Sequence, residues 1–170
     1  MSDTATDDDL LPPSVDPNKK ALGYAVLDDL IGPYIRKVWV DPLDNVDDPI
    51  SMLQRMVGES HKELDLDVHR LGCPLNNFAQ EMSPLDEGFR VRIQRLFEMW
   101  KGGFVAAFRR GQAAGTVRPD IDPVVAGGFL LAVIEGVSSL AKAAQQESAL
   151  SEYGQGVHYY LESLRNHKKH

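Results

Sequence analysis

The sequence predicts an all-α protein, and three observations carry that prediction. Apolar residues recur at spacings of three and four through most of the chain. Acids and prolines stand together where these runs begin, as they do at helix starts. No stretch alternates apolar and polar residues as a half-buried strand would. At 170 residues, with 43% hydrophobic and 25% charged, the chain is long enough for one domain with a proper core.

Taken in order, Met1–Asp16 joins an acidic run to Pro12-Pro13, and residues 1–17 read as a disordered acidic leader. Ala21, Leu22, Ala25, Val26, Leu30, Ile31, Ile35 and Val38 then mark a helix from about residue 18 to Val40, with Pro33 as a kink. Asp47-Asp48-Pro49 starts a second helix carrying Ile50, Leu53, Met56, Val57 and Leu64. Residues 65–74 break the pattern, and a short helix runs from Leu75 to Met82. Ser83 is expected to cap the longest helix, with Pro84 at its first position and Phe89, Ile93, Leu96, Phe97, Trp100, Phe104 and Phe108 on its buried face. Gly115 closes it. Asp122-Pro123 opens a largely apolar helix, Val124 to about Ala144, and the last helix covers about Leu150 to Arg165. Residues 166–170 read as a flexible tail. That makes about six helices.

The Val124–Ala144 segment is apolar on most faces and interleaved with Gly127, Gly128, Gly136, Ser138 and Ser139. Such a helix must be covered on nearly all sides. A second subunit is one cover, giving a homodimer in which the last two helices of each protomer form a four-helix bundle. A central core helix in a monomer is the other. The interface candidates are Phe129, Val133, Gly136, Val137, Leu140, Tyr153, Val157, Tyr160 and Leu161.

Charge and composition exclude several classes. The formal net charge is -7, and five of the acids lie in residues 1–18, which hold no Lys or Arg. The remainder carries 18 basic against 20 acidic side chains, so a basic face for DNA phosphates is not evident. No apolar run is expected to reach the length of a bilayer span, and the acidic start is not a secretory signal. A single cysteine, Cys73, suits a reducing cytosol. No Walker loop, nucleophile elbow, Ser-x-x-Lys or His-Glu-x-x-His motif occurs, so catalysis is not expected.

Two stretches then resemble a known family. Arg70-Leu-Gly-Cys-Pro-Leu-Asn-Asn-Phe-Ala-Gln-Glu-Met-Ser83 followed by Pro84-Leu-Asp-Glu-Gly-Phe-Arg90, and Gly111-Gln-Ala-Ala-Gly-Thr-Val-Arg-Pro-Asp-Ile-Asp-Pro123, resemble the C-terminal ligand-binding domain of TetR-family transcriptional regulators. Glu135-Gly136 in mid-helix and Tyr160-Leu-Glu-Ser-Leu-Arg165 fit the same pattern. Asn18-Lys-Lys-Ala-Leu-Gly-Tyr-Ala-Val26 resembles the family's fourth helix, so the likeness spans about residues 18–165.

The resemblance implies a regulator, commonly a repressor, that senses a small hydrophobic effector. It implies a pocket between the second, short and long helices, with Met52, Met56, His61, Phe78, Met82, Phe97, Trp100 and Phe104 as candidate lining. Flexible thioethers and aromatic rings suit an adaptable apolar pocket; the same residues also read as ordinary core. The helix-turn-helix head that precedes the fourth helix in this family has no counterpart in residues 1–17. DNA binding is therefore expected only through a head supplied by a longer form or a partner. The alternative is a headless ligand-binding or dominant-negative dimerisation module.

Other chemistry is weaker. His61 and His69 flank Asp65 and Asp67, but without a further Cys or His pair no metal and no cofactor are expected; His61 tops the pocket or faces water. Cys73, at a helix entry, reads as a small buried hydrophobe or as a thiol activated by the helix terminus. Asn76 and Asn77 either enter the pocket or cap the short helix. Asp28-Asp29 and Asp47-Asp48 read as solvated faces and caps. A cytoplasmic homodimer with no membrane contact is the expectation.

Overall fold

Asp16 opens the first helix, α1 (Pro17–Ala25), by accepting hydrogen bonds from the amides of Asn18 and Lys19. The computed structural model describes residues 16–59 and 68–167, side chains excepted at 59, 68, 69 and 147–151. Helical backbone continues from α1 to Val40, but its hydrogen-bond register changes. Two π-helical runs, Val26–Ile31 and Arg36–Val40, flank the α-helical turn α2 (Gly32–Ile35) that holds Pro33. The proline that was expected to kink this rod therefore sits between two wide turns, a way of accommodating a residue that donates no amide hydrogen bond. A 3-10 turn, Asp41–Leu43, ends the rod.

The next start is also a cap: Asp48 accepts from the Ser51 amide and hydroxyl at the head of α3 (Pro49–Glu59). Within the expected break lies one helical turn, α4 (Val68–Leu71). Gly72, with φ +72, turns the chain into α5 (Pro74–Met82). The expected cap at Ser83 is not found. Ser83–Leu85 form a turn in which the amides of Leu85 and Asp86 donate to the Met82 carbonyl, and Asp86 caps α6 (Glu87–Ala114) through the Phe89 amide. The carboxylate three residues on is the better acceptor, because it also collects Tyr24 and Lys20 from α1.

The 28-residue α6 is the central element, touching α1, α3, α5, α7 and the π-helical runs. Its expected inner residues are buried except Phe97, which is half-buried. Gly115, in the left-handed region at φ +78, closes it. Gly111 marks the tightest crossing: a Cβ there would stand 2.5 Å from the Val117 side chain and 2.8 Å from Pro49. Asp122 caps α7 (Pro123–Ala144), and α8 (Glu147–Ser163) returns against α3 and α7. Among the described residues there is no strand, only an isolated antiparallel bridge between Val117 and Arg165.

Three expectations are corrected here. By length and composition α7 could cross a membrane, with 22 residues and a mean hydropathy of 1.9 over its most apolar window. Its inner side is nevertheless packed in the fold, on α6 and α8. The tail does not start at residue 166: the Asn166 amide donates to the Thr116 carbonyl and its side chain to that of Gly115, both at 2.9 Å. Asp28, expected in water, pairs with Arg92 at 3.0 Å and Arg95 at 2.5 Å on α6.

Candidate functional site

The residues expected to line one pocket join one core but do not meet at one place. Trp100 and Phe104 form an aromatic group with Trp39, with ring centroids 5.3 Å (Trp39–Trp100), 6.4 Å (Trp39–Phe104) and 6.3 Å (Trp100–Phe104) apart. Phe78 stacks instead on Phe89 at 5.9 Å, and Tyr24 meets Phe89 edge-on at 4.7 Å. Phe89 and Trp100 are separated by about 16 Å along the α6 axis, at 1.5 Å per residue. Met56 is buried, while Met52, Met82 and Phe97 are half-buried against the core. The Met52 sulfur accepts from Arg55 at 2.9 Å, an exposed contact. His61, Asp65 and Asp67 lie outside the described residues, and of the His69 side chain nothing is described.

A different set of residues frames a groove of about 360 Å³ between α5 and the end of α7. Gly72, Cys73, Asn76, Asn77 and Gln80 form one wall; Ser139, Lys142, Ala143 and Gln145 form the other. Asn76 donates to the Ser139 hydroxyl at 2.9 Å, and Lys142 donates to the Asn77 carbonyl oxygen at 2.9 Å. Both asparagines thus tie α5 to α7, and Asn77 also donates to the Leu71 carbonyl.

Next to the groove residue Cys73 stands Glu135, the one buried charged side chain among the described residues, which the sequence pattern includes without a role. It is 8% exposed, and neither carboxyl oxygen has a hydrogen-bond partner. The Cys73 thiol is its near neighbour, close enough to pull the carboxyl down against the effect of burial, but it does not complete a well-formed hydrogen bond to either oxygen. Burial raises the Glu135 carboxyl to about 7. Burial, and then Glu135, push the Cys73 thiol far up, so Cys73 is a protonated thiol and the activated reading of it fails. Tyr34, pushed up to about 12 by burial, lies near enough to Cys73 for the two to interact. Trp100 Nε1 is likewise buried without an acceptor. The signal for Glu135 was present: it falls four residues after Leu131 and eight after Gly127, on the buried face of an apolar helix.

The outer face of α7 is apolar and open. Val125 is 68% exposed, Phe129 and Leu140 are each 52% exposed, and Ala132 and Gly136 continue the line between them at helical spacing. Tyr159 on α8 is 70% exposed. Of the expected interface residues, Phe129, Gly136 and Leu140 are exposed, and Val133, Val137, Tyr153 and Tyr160 are half-buried. Tyr160 packs on Phe129 with centroids 4.9 Å apart and donates to the Ala126 carbonyl at 3.0 Å. Val157 and Leu161 are corrected: at 1% and 0% exposure they are core within one chain and cannot face a partner. Val125 and Tyr159 are exposed on the same two helices and were not among the expected interface residues.

The family described as tetracyclin repressor-like, C-terminal domain, matches residues 49–157. The HTH-type transcriptional repressor DhaR of Mycobacterium sp. (strain GP1) is 28% identical over 136 residues, 80% of this chain and 67% of that protein. The transcriptional regulator AcuR of Cereibacter sphaeroides is 27% identical over 106 residues, 62% of this chain and 48% of its own length. The chain thus spans about half to two thirds of these relatives' own length. A TetR-family transcriptional regulator from Cytophaga hutchinsonii superposes with a TM-score of 0.76 at 20% identity, covering 89% of this chain and 75% of that one. A regulatory protein TetR from Rhodobacter sphaeroides gives 0.70 at 23% identity, covering 81% and 73%. These structures share the all-helical fold.

Proposed function

The chain belongs to the TetR family of transcriptional regulators through its C-terminal domain, and from that premise we propose that it is the effector-sensing and dimerising part of a cytoplasmic repressor and has no catalytic role. The observation that carries this reading is the apolar stripe of Val125, Phe129, Ala132, Gly136 and Leu140 along α7. A patch of this kind on a folded protein marks an interaction surface. A two-fold pairing lays α7 and α8 of one protomer across those of its partner, and Gly136 lets the axes approach.

The effector is a small, mainly apolar molecule held within the core bounded by α3, α5, α6 and α7. Its binding and the release of DNA are two ends of one coupling free energy. With a formal net charge of -7, this chain is poorly suited to neutralising phosphates itself. Operator contact belongs to a helix-turn-helix head, brought by a longer form or by a partner.

Light scattering coupled to gel filtration tests the proposal. The wild type elutes as a dimer at tens of micromolar. Phe129→Asp and Val125→Asp elute as monomers that keep their helical circular dichroism. A monomeric wild type would sink the dimer reading.

A further inference from the structure

We infer that Glu135 is the polar anchor of the effector site, and that the effector carries a hydrogen-bond donor, a hydroxyl or a protonated amine, on its apolar body. The inference rests on the effector-sensing reading above and deepens it. A carboxyl group that is nine-tenths buried with both oxygens unpartnered is an expensive thing to keep in a core. The neighbour that the structure gives it, the Cys73 thiol, stays protonated and is a weak donor.

The site also adjoins a groove. Cys73 abuts Glu135 and at the same time lines the groove between α5 and α7, whose other walls are largely amide, hydroxyl and ammonium groups. Because burial raises that carboxyl to about 7, it can stand as an acid when the site is empty and as a carboxylate when a cation arrives. A neutral acid accepts from an alcohol; a carboxylate pairs with an ammonium.

The test uses the full chain and three probes of one shape: toluene, benzyl alcohol and benzylamine, titrated by calorimetry into wild type, Glu135→Leu and Glu135→Gln. All three proteins are first checked for helical circular dichroism. Wild type is expected to prefer the alcohol or the amine over toluene by about tenfold or more, the size of a hydrogen bond to a charged or buried group. Glu135→Leu abolishes that preference and still binds toluene. Glu135→Gln keeps the alcohol and loses the amine, which separates a hydroxyl effector from an amine. If toluene binds and the preference among probes is the same in wild type and Glu135→Leu, the anchor is wrong while the apolar pocket stands. If wild type binds none of the three, pocket and anchor fall together.

Discussion

Two carboxyl groups on neighbouring helices show opposite treatments of the same chemistry. Asp86, at the head of α6, gathers the Lys20 ammonium at 2.5 Å, the Tyr24 hydroxyl at 2.5 Å and the Phe89 amide at 3.0 Å. Lys20, and then Tyr24, hold it well below the usual carboxylate range. Glu135, in the middle of α7, has no partner for either oxygen and is raised instead. The first carboxylate stitches two helices together. The second destabilises the fold it sits in whenever it ionises. A satisfied polar group reads as structure; an orphaned one asks what else is meant to meet it.

The comparison can be broken most directly at Glu135. Its folded value of about 7 lies above the ordinary 4.5, so its contribution is fully present below pH 4.5 and is lost as pH rises through 7. Glu135→Leu should therefore stabilise the protein at pH 8 by something on the order of 3 kcal/mol. It should also flatten the fall in stability between pH 4.5 and 7, read by urea unfolding across that range. An unchanged pH profile would mean that the carboxyl is solvated or paired after all.

Asp86 carries the opposite sign. Its contribution is present above the unfolded value of 3.8 and disappears as pH falls through its lower folded value. Asp86→Ala should lower the thermal midpoint by less than Glu135→Leu raises it. Hydrogen exchange should quicken in α1 and in the first turn of α6, where the cap and both cross-helix contacts vanish together. Exchange that quickens elsewhere would mean that Asp86 is not the link between these helices.

The smallest effect belongs to Asp28, paired with Arg92 and Arg95 at a half-exposed site. Asp28→Asn should cost roughly 0–1 kcal/mol at low salt, and the difference should shrink further in high salt, as screening predicts.

Much of the fold was legible because local chemistry and periodicity agree. The caps at Asp48 and Asp122 stand immediately before prolines, and the face from Phe89 to Phe108 is written in threes and fours. Ser83 misled because its dipeptide looks like a helix start, while the better acceptor, Asp86, is chosen by residues 62 and 66 positions earlier in the chain, Tyr24 and Lys20. The site was less legible for the same reason. Met and aromatic residues share one inward face, but whether they share a place depends on which helix each meets. Phe78 finds Phe89, and Trp100 finds Trp39. Val157 and Leu161 looked like interface because a helix facing α3 and α7 and one facing a partner have the same period.

The wide turns in the rod from Pro17 to Val40 set an angular phase. On one side of Pro33, Lys20 and Tyr24 reach Asp86; on the other, Trp39 reaches Trp100. These anchors lie on a single stiff piece, and their directions around its axis are fixed by the π-helical turns at Val26–Ile31 and Arg36–Val40. Removing one residue between them would rotate one anchor against the other by roughly 100°, the angle of one α-helical step. The rod is thus keyed at both ends like a shaft in two slots, and a twist imposed at one end must either reach the other or pull a key from its slot.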